Sequence, residues 1–135
     1  MSKYGEITIK NHKKYNKKIM FLIFNECDID DENEVERLIV EYHKVIEDNP
    51  GISSIIDARN VKSCSKTLAF SKAKTLKRYD AMARKNLLCM SILMDNPILK
   101  MLLDAVTKVH SFIVPTKIVK DNKSAMDYVI SEISK

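Results

Sequence analysis

The side chains that could bind a metal ion or act in catalysis are few and scattered. His12, His43 and His110 fall in a turn and in two different predicted helices, and no H-E-x-x-H or His-Cys spacing accompanies them. Such spacings are what bring several ligands to one metal ion. The two glycines of the chain are also too few for a phosphate-binding loop of the G-x-G-x-x-G kind. The sequence therefore predicts no catalytic residue, no metal ligand and no cofactor, and we expect a protein that is not an enzyme.

A dense acidic run precedes the first predicted helix. It consists of Asp28, Asp30, Asp31, Glu32 and Glu34. An EF-hand calcium loop needs a glycine at its sharp turn and regularly spaced ligands, and this run has neither. Asp31 and Glu34 instead have the spacing of a capping box, in which the first side chain accepts from free helix amides and the second reaches back. We interpret the run as the solvated start of a helix.

The cysteines and the apolar segments indicate the compartment. Cys27, Cys64 and Cys89 are odd in number, widely spaced and without a C-x-x-C pair, which is not the pattern of a disulfide framework. Cys89 lies in an apolar segment and is predicted to be buried. The longest apolar stretches, such as residues 87–94, are too short to span a bilayer. The polar start of the chain does not look like a signal peptide. These features predict a cytoplasmic protein without a transmembrane segment.

The charge balance allows an acidic partner but does not favour nucleic acid. The net charge is +5, and 19 of the 23 basic residues are Lys. Arg is the side chain with the planar fork that reads phosphates and bases, and only four are present. A solvated lysine-rich surface is the favoured interpretation. The alternative is weak nucleic-acid binding through Lys13, Lys14, Lys17 and Lys18 together with the second predicted helix.

Hydrophobic periodicity divides the chain into strands that alternate with helices. Apolar runs of strand length occur at 4–10, 19–24, 52–58, 87–94 and 116–119. The run at 19–24 is continuous, which predicts a strand buried on both faces. Helical spacing of apolar residues follows the Asp31 cap, extends from the 63–67 segment to about 84, follows Asn96-Pro97 to about 111, and follows Asp121 or Asn122.

This order, β-β-α-β-α-β-α-β-α, predicts an α/β fold with one domain over residues 1–135. Strands that alternate with helices become parallel neighbours through right-handed crossovers. The short polar turn between the first two strands predicts an antiparallel hairpin. We therefore expect a mixed, mostly parallel five-stranded sheet covered by about four helices.

The second predicted helix has a basic outer face that contains an aromatic residue. Lys66, Lys74 and Lys77 lie opposite its apolar arc, and Phe70 falls among them. An exposed aromatic ring within a basic face suits a protein partner or an acidic lipid headgroup. The alternative is that Phe70 folds back and covers the edge of the sheet.

The third predicted helix has an apolar arc wider than one sheet normally covers. Ile98 and Leu99 belong to its main face, and Met101 and Phe112 extend that face on one side. Neighbouring helices could close over the arc, which is the favoured interpretation because Leu and Val are most often core residues. The alternatives are a protein interface or the wall of an apolar pocket.

The order of elements and three local segments resemble the STAS superfamily, the sulphate-transporter and anti-anti-sigma-factor domains. Residues 28–48 are similar to the family's first helix with its acidic lead-in. Residues 55–61, Ile-Ile-Asp-Ala-Arg-Asn-Val, look like its strand that ends in Asp and is followed by a short loop with a Val. The segments 95–99, 114–119 and 124–128 are similar to its Asn-Pro helix start, its short edge strand and its last helix.

The resemblance implies a candidate phosphorylation site. Anti-anti-sigma-factor members carry an Asp-Ser pair at the start of the second helix, and that Ser is phosphorylated. By position the pair would fall at Ser65-Lys66, where no Asp precedes a Ser. Ser63, Ser65 and Thr67 remain as hydroxyls near a predicted helix N-terminus, where the helix dipole favours a phosphate. The favoured interpretation is that Ser63 or Ser65 only caps the helix, which is the commoner use of such residues.

Two functions follow from these observations. The resemblance and the lack of a catalytic set predict a non-enzymatic regulatory module that contacts a protein partner or a second copy of itself. The broad fold class also includes lipid-binding members, so the alternative is a carrier of a lipid or small apolar ligand, with the third helix as one pocket wall.

Overall fold

The computed structural model describes residues 2–135, and its strands form two separate sheets. The main sheet has five strands in the order β1-β2-β4-β6-β7, and the small sheet pairs β3 with β5. The strands are β1 (Gly5–His12), β2 (Lys17–Phe24), β3 (Cys27–Ile29), β4 (Ile52–Asp57), β5 (Val61–Cys64), β6 (Leu87–Leu93) and β7 (Thr116–Val119).

Five α-helices and one 3-10 segment (Leu76–Tyr79) connect the strands. The helices are α1 (Glu32–Asp48), α2 (Lys66–Thr75), α3 (Asp80–Asn86), α4 (Pro97–Thr107) and α5 (Asn122–Ile133). Among residues 2–135, no helix is both long and apolar enough to cross a membrane.

The predicted α/β class and the mixed, mostly parallel sheet are confirmed. The hairpin of β1 and β2 is antiparallel, while β2, β4, β6 and β7 run parallel to one another. The sheet carries apolar side chains on both faces, since Ile55 clusters with Val129 of α5 and Met20 clusters with Ile46 of α1. The prediction that β2 is buried on both faces is wrong at Ile23, which is 46% exposed because α5 covers mainly β4, β6 and β7.

Polar side chains fix the starts of the helices, as the sequence predicts. Asn96 caps α4 by accepting from the amides of Ile98 and Leu99, and Pro97 occupies the first turn. Asp121 caps α5 by accepting from the Ser124 amide.

The start of α1 departs from the capping box in one respect. Asp31 accepts from the amides of Asn33 and Glu34, but Glu34 turns towards the N-terminus and accepts from the Lys3 amide at 3.0 Å. The Asp31 amide donates instead to the hydroxyl of buried Tyr4, at 2.9 Å. The hydroxyl of Tyr4, which is distant in sequence, therefore accepts the hydrogen bond that the capping box assigns to Glu34.

Two elements between residues 25 and 86 differ from the prediction. The segment 25–31, which is expected from the sequence to be irregular, contains β3. This strand pairs with β5 in a parallel ladder in which Cys27 lies beside Val61 and Ile29 beside Cys64. The single helix expected from the 63–67 segment to about 84 is divided by the 3-10 segment. No Gly or Pro marks that division. It coincides with contacts to α1, since Lys72 and Arg78 both pair with Glu36.

Candidate ligand-binding cavity

A cavity of about 350 Å³ lies between the sheet and the helices that cover one of its faces. Leu22, Ile56 and Ile92 line it from β2, β4 and β6. Helix α1, the 3-10 segment, α3 and the last part of α4 with the chain that follows form the opposite wall. Nearly all of the lining is apolar, which is the usual character of a pocket for a small organic ligand.

The wide apolar arc of α4 is divided between three environments. Leu99 is buried in a cluster with Ala58 and Val61. Leu103 and Val106 line the cavity.

Other residues of the same arc face outward. Ile98 is 75% exposed and Met101 is 70% exposed. The expectation that the fold buries this arc is therefore wrong for Ile98, which the sequence places on the covered face. Helix α4 contacts α2 rather than lying flat on the sheet, so one side of it reaches the cavity and another side is left uncovered.

Tyr42 brings a buried hydroxyl to the cavity wall. Its hydroxyl donates to Ser54 Oγ at 2.7 Å and lies 3.5 Å from Met90 Sδ. Burial raises the pKa of Tyr42 to about 12, with the Ser54 bond acting in the opposite direction. Tyr42 is therefore a neutral structural group that ties α1 to β4.

His43 is held in one orientation by its own helix and by an aromatic neighbour. Its Nδ1 lies 2.7 Å from the carbonyl oxygen of Ile39. Its ring stacks on Tyr79 with 4.0 Å between centroids and 14° between planes. Burial lowers the pKa of His43, and the charge of Arg78 acts in the same direction. His43 is therefore an uncharged imidazole at neutral pH.

A second histidine closes the same end of the cavity. His110 Nε2 lies 2.7 Å from Asp80 Oδ1. The pair connects the first residue of α3 to the chain that follows α4, and Thr107 and Ser111 lie beside it in the lining. These polar groups form one end of the cavity. The far end, near Phe24 and Val35, is apolar except for the Tyr4 hydroxyl, which accepts from the amides of Asp30 and Asp31.

The hydroxyls proposed for phosphorylation lie together, and two of them have partners. Ser63 Oγ donates to Asp28 Oδ1 at 2.7 Å. Ser65 caps α2 and accepts from the Leu68 amide at 3.2 Å. Thr67 is exposed in the first turn of α2. The structure thus places Ser65 in the capping role that the sequence favours for it, and phosphorylation stays a prediction.

The residues predicted as an interaction surface do not form one face of one helix. Lys66, Lys74 and Lys77 are exposed, but Lys77 lies in the 3-10 segment beyond the end of α2. Phe70 is half-buried.

Met101 and Phe112 come from another part of the chain. Met101 projects from α4, and Phe112, at 39% exposure, lies in the segment that follows α4. The turn with Lys13, Lys14, Lys17 and Lys18 is exposed at the far end of β1 and β2.

An ion pair stabilises the loop after β4. Arg59 donates to both carboxylate oxygens of Asp57, at 3.0 and 2.8 Å, and reaches Asn122 Oδ1 at 3.3 Å. The side-chain hydrogen bond from Arg59 holds the pKa of Asp57 below its usual value. Asp57 is the last residue of β4 and Asn122 the first of α5, so Arg59 connects the end of the strand to the start of the last helix.

Sequence reasoning missed the residues at the polar end of the cavity. His43 lies in α1, Asp80 begins α3 and His110 lies in the chain after α4, and no spacing in the sequence connects them. His43 follows Ile39 by four residues, which would have predicted the bond to the Ile39 carbonyl but not the cavity. Among residues 2–135, no group of three or more His, Cys, Asp or Glu side chains is arranged to hold a metal ion.

The chain has a SpoIIAA-like fold, which is the fold of STAS and anti-anti-sigma-factor domains. The fold expected from the resemblance is therefore confirmed. A solved structure of an uncharacterised DUF3478-family protein with a SpoIIAA-like fold, from Shewanella loihica PV-4, is similar over 92% of both chains. The TM-score is 0.54 and the sequence identity is 14%, so this likeness concerns the fold alone. No protein-family model and no curated protein matches the sequence.

Proposed function

We propose that this protein is a non-enzymatic STAS-like module that binds a small apolar ligand between its main sheet and the α1, α3 and α4 layer. The observation that carries the proposal is the cavity of about 350 Å³ with an almost wholly apolar lining. Protein interiors normally contain few voids larger than a water molecule. A space of a few hundred Å³ with an apolar lining is instead the usual form of a site for a small organic ligand.

The test is binding of an apolar fluorescent probe, diphenylhexatriene, to the protein and to a variant with a filled cavity. Ala83 lines the cavity on α3 and is 2% exposed, so Ala83→Phe would place a ring inside it. We expect the variant to bind the probe at least tenfold more weakly than the wild type. Ala81→Phe is the matched control, because Ala81 lies on the exposed side of the same helix.

Two results would contradict the proposal. The proposed function is wrong if the wild type does not bind the probe. It is also wrong if the wild type and a folded Ala83→Phe variant bind the probe equally. Circular dichroism shows whether both variants are folded. Mass analysis of solvent extracts from the purified protein is the independent measurement, and a co-purifying apolar compound of defined mass is the expected result.

A second candidate function is contact with a protein partner or a second copy of the chain. The uncovered side of α4 favours it, because Ile98 and Met101 expose most of their apolar surface next to α2, where Lys66 and Lys74 are exposed. Met101→Glu should shift a self-associating protein towards the monomer in sedimentation velocity, whereas Lys108→Glu, beyond the end of α4, should not. Phe70→Asp is a poor test because Phe70 is half-buried.

A further inference from the structure

We propose that the ligand of this cavity is an amphiphile whose polar end is an uncharged hydrogen-bond donor, a hydroxyl group, held by His43 Nε2. The inference rests on the proposed apolar-ligand function and names the class of ligand. It is carried by the orientation of His43, by the separation of polar and apolar ends in the cavity, and by the hydrogen bonds that the neighbouring side chains already make.

The orientation of His43 determines which ring nitrogen is free. The carbonyl oxygen of Ile39 can only accept, so the hydrogen of the 2.7 Å contact must lie on Nδ1. A neutral imidazole has one N–H, and Nε2 is then a lone-pair acceptor on the side of the ring that faces away from the α1 backbone. Among the described residues, Nε2 has no hydrogen-bond partner, and His43 lines the cavity.

The cavity has one polar end and one apolar end. Val35 and His43 both line it from α1, and eight residues of helix separate them by about 12 Å. Around Val35 the lining includes Leu22 and Phe24, and the Tyr4 hydroxyl at this end is already hydrogen-bonded to Asp30 and Asp31. A ligand that fills the cavity therefore places its hydrocarbon part near Val35 and its polar group near His43.

The other side-chain hydroxyls at the polar end already donate elsewhere. Thr107 Oγ1 donates to the Asp104 carbonyl at 2.9 Å, and Ser111 Oγ donates to the Thr107 carbonyl at 3.3 Å. Tyr42 donates to Ser54. These side chains can still accept a hydrogen bond, so the polar end offers acceptors to a ligand.

Asp80 determines the charge of the ligand's polar group. Its Oδ1 is already paired with His110, and its carboxylate at the cavity end disfavours an anionic headgroup nearby. A cationic group would lose its hydration in an almost wholly apolar cavity, and a single carboxylate that is already hydrogen-bonded to His110 offsets only part of that cost. An uncharged hydroxyl satisfies His43 Nε2 without either cost.

The experiment compares three ten-carbon compounds with different polar groups: 1-decanol, its isomer methyl nonyl ether, and decanoate. Each competes with bound diphenylhexatriene at pH 8, where His43 is uncharged. The alcohol can donate a hydrogen bond and the ether cannot. We expect 1-decanol to bind about threefold to tenfold more tightly than the ether, the range of one net hydrogen bond, and decanoate to bind most weakly.

A pair of histidine variants tests the assignment to His43. His43→Phe keeps a ring that can stack on Tyr79 and removes the acceptor, so the preference for the alcohol over the ether should disappear. His12→Phe is the matched control, because His12 lies at the end of β1 and outside the cavity lining, and it should keep the preference. If His43→Phe does not fold, the ¹⁵N chemical shift of wild-type His43 Nε2 replaces it: 1-decanol should move it and the ether should not.

The outcomes separate the two proposals. Equal binding of 1-decanol and its ether, or tighter binding of decanoate, would overturn the hydroxyl assignment and leave the apolar-ligand function standing. A preference for the alcohol that persists in folded His43→Phe would overturn the role of His43. If neither the probe nor any of the three compounds binds, the proposed function fails and this inference fails with it.

Discussion

His110 Nε2 lies 2.7 Å from Asp80 Oδ1, and this bond joins α3 to the chain that follows α4 across 30 residues of sequence. Both side chains are mostly buried, with 15% and 29% of their surface exposed. The segment after α4 carries Phe112 and Val114, which close one end of the cavity. This contact therefore helps to position a cavity wall that has no regular secondary structure, together with backbone hydrogen bonds such as the one from the Met90 amide to the Pro115 carbonyl.

The first prediction concerns the strength of this contact. In a double-mutant cycle with Asp80→Asn and His110→Gln, we expect a coupling energy of about 1 kcal/mol, because partly buried hydrogen bonds with a charged partner exceed neutral ones. Urea unfolding at pH 7 measures the four free energies. The pair Lys123–Asp127 on α5 is the control, since both side chains are mainly exposed and the expected coupling is near zero. Equal coupling in the two pairs would contradict a structural role for His110.

The second prediction concerns Tyr4, which organises the start of α1. Its hydroxyl accepts from the amides of Asp30 and Asp31 at 3.2 and 2.9 Å, and the residue is 3% exposed. Tyr4→Phe leaves those amides without that partner and should lower the free energy of unfolding by about 1–3 kcal/mol.

The same substitution at another tyrosine is its control. Tyr15 is half-buried beside His12, and no hydrogen bond of its hydroxyl is present among the described residues. Tyr15→Phe should change the free energy of unfolding by less than about 0.5 kcal/mol. A Tyr4→Phe effect no larger than the Tyr15→Phe effect would mean that solvent replaces the Tyr4 hydroxyl at the Asp30 and Asp31 amides.

The third prediction is a pH dependence that comes from Asp57. The hydrogen bonds and charge of Arg59 lower the folded-state pKa of Asp57 from its ordinary value of 3.8. A carboxyl group with a lowered folded pKa stabilises the fold above its unfolded pKa, and that stability is lost as the pH falls through the folded value. The wild type should therefore be more stable than Asp57→Asn by about 1 kcal/mol at pH 7, and the difference should shrink below about pH 4.

Unfolding curves measured between pH 2 and pH 7 test this dependence. Asp127→Asn is the control, because Asp127 is exposed and should give a small difference that varies little with pH. If the difference in unfolding free energy between the wild type and Asp57→Asn stays constant down to pH 2, Asp57 does not act through its charge.

The fourth prediction concerns the reactivity of the cysteines. Burial is the first cause that raises the pKa of Cys27, Cys64 and Cys89, so each is less of a thiolate at neutral pH than an exposed cysteine. Cys89 is fully buried, whereas the other two are intermediate. With iodoacetamide under native conditions, mass spectrometry should show slow labelling of Cys27 and Cys64 and none of Cys89 until the protein unfolds.

Local sequence signals determined most of the secondary structure. The five strands of the main sheet and the caps at Asp31, Ser65, Asn96 and Asp121 lie close to where the sequence places them. These features depend on residues only a few positions apart, such as the alternation of β1 and the side chain that caps a helix. The parallel direction of β2, β4, β6 and β7 followed from the alternation of strands with helices, which are joined by crossovers of a preferred hand.

The tertiary structure decided the features that depend on distant partners. The ladder between β3 and β5 needs two short segments that are 34 residues apart at Cys27 and Val61, and neither has a strong strand pattern alone. The break between α2 and α3 has no Gly or Pro, and it coincides with the contacts of Lys72 and Arg78 to Glu36 on another helix.

The cavity is the clearest case of a property that only the tertiary structure decides. Hydrophobic periodicity places an α4 residue such as Leu103 on the apolar face of its helix. It does not show whether the side chains opposite that face fill the space. The polar end of the cavity likewise depends on tertiary structure, because His43, Asp80 and His110 come from separate parts of the chain. Local sequence patterns specify which surfaces avoid water, whereas the angles and distances at which those surfaces meet decide whether they form a filled core or a binding site.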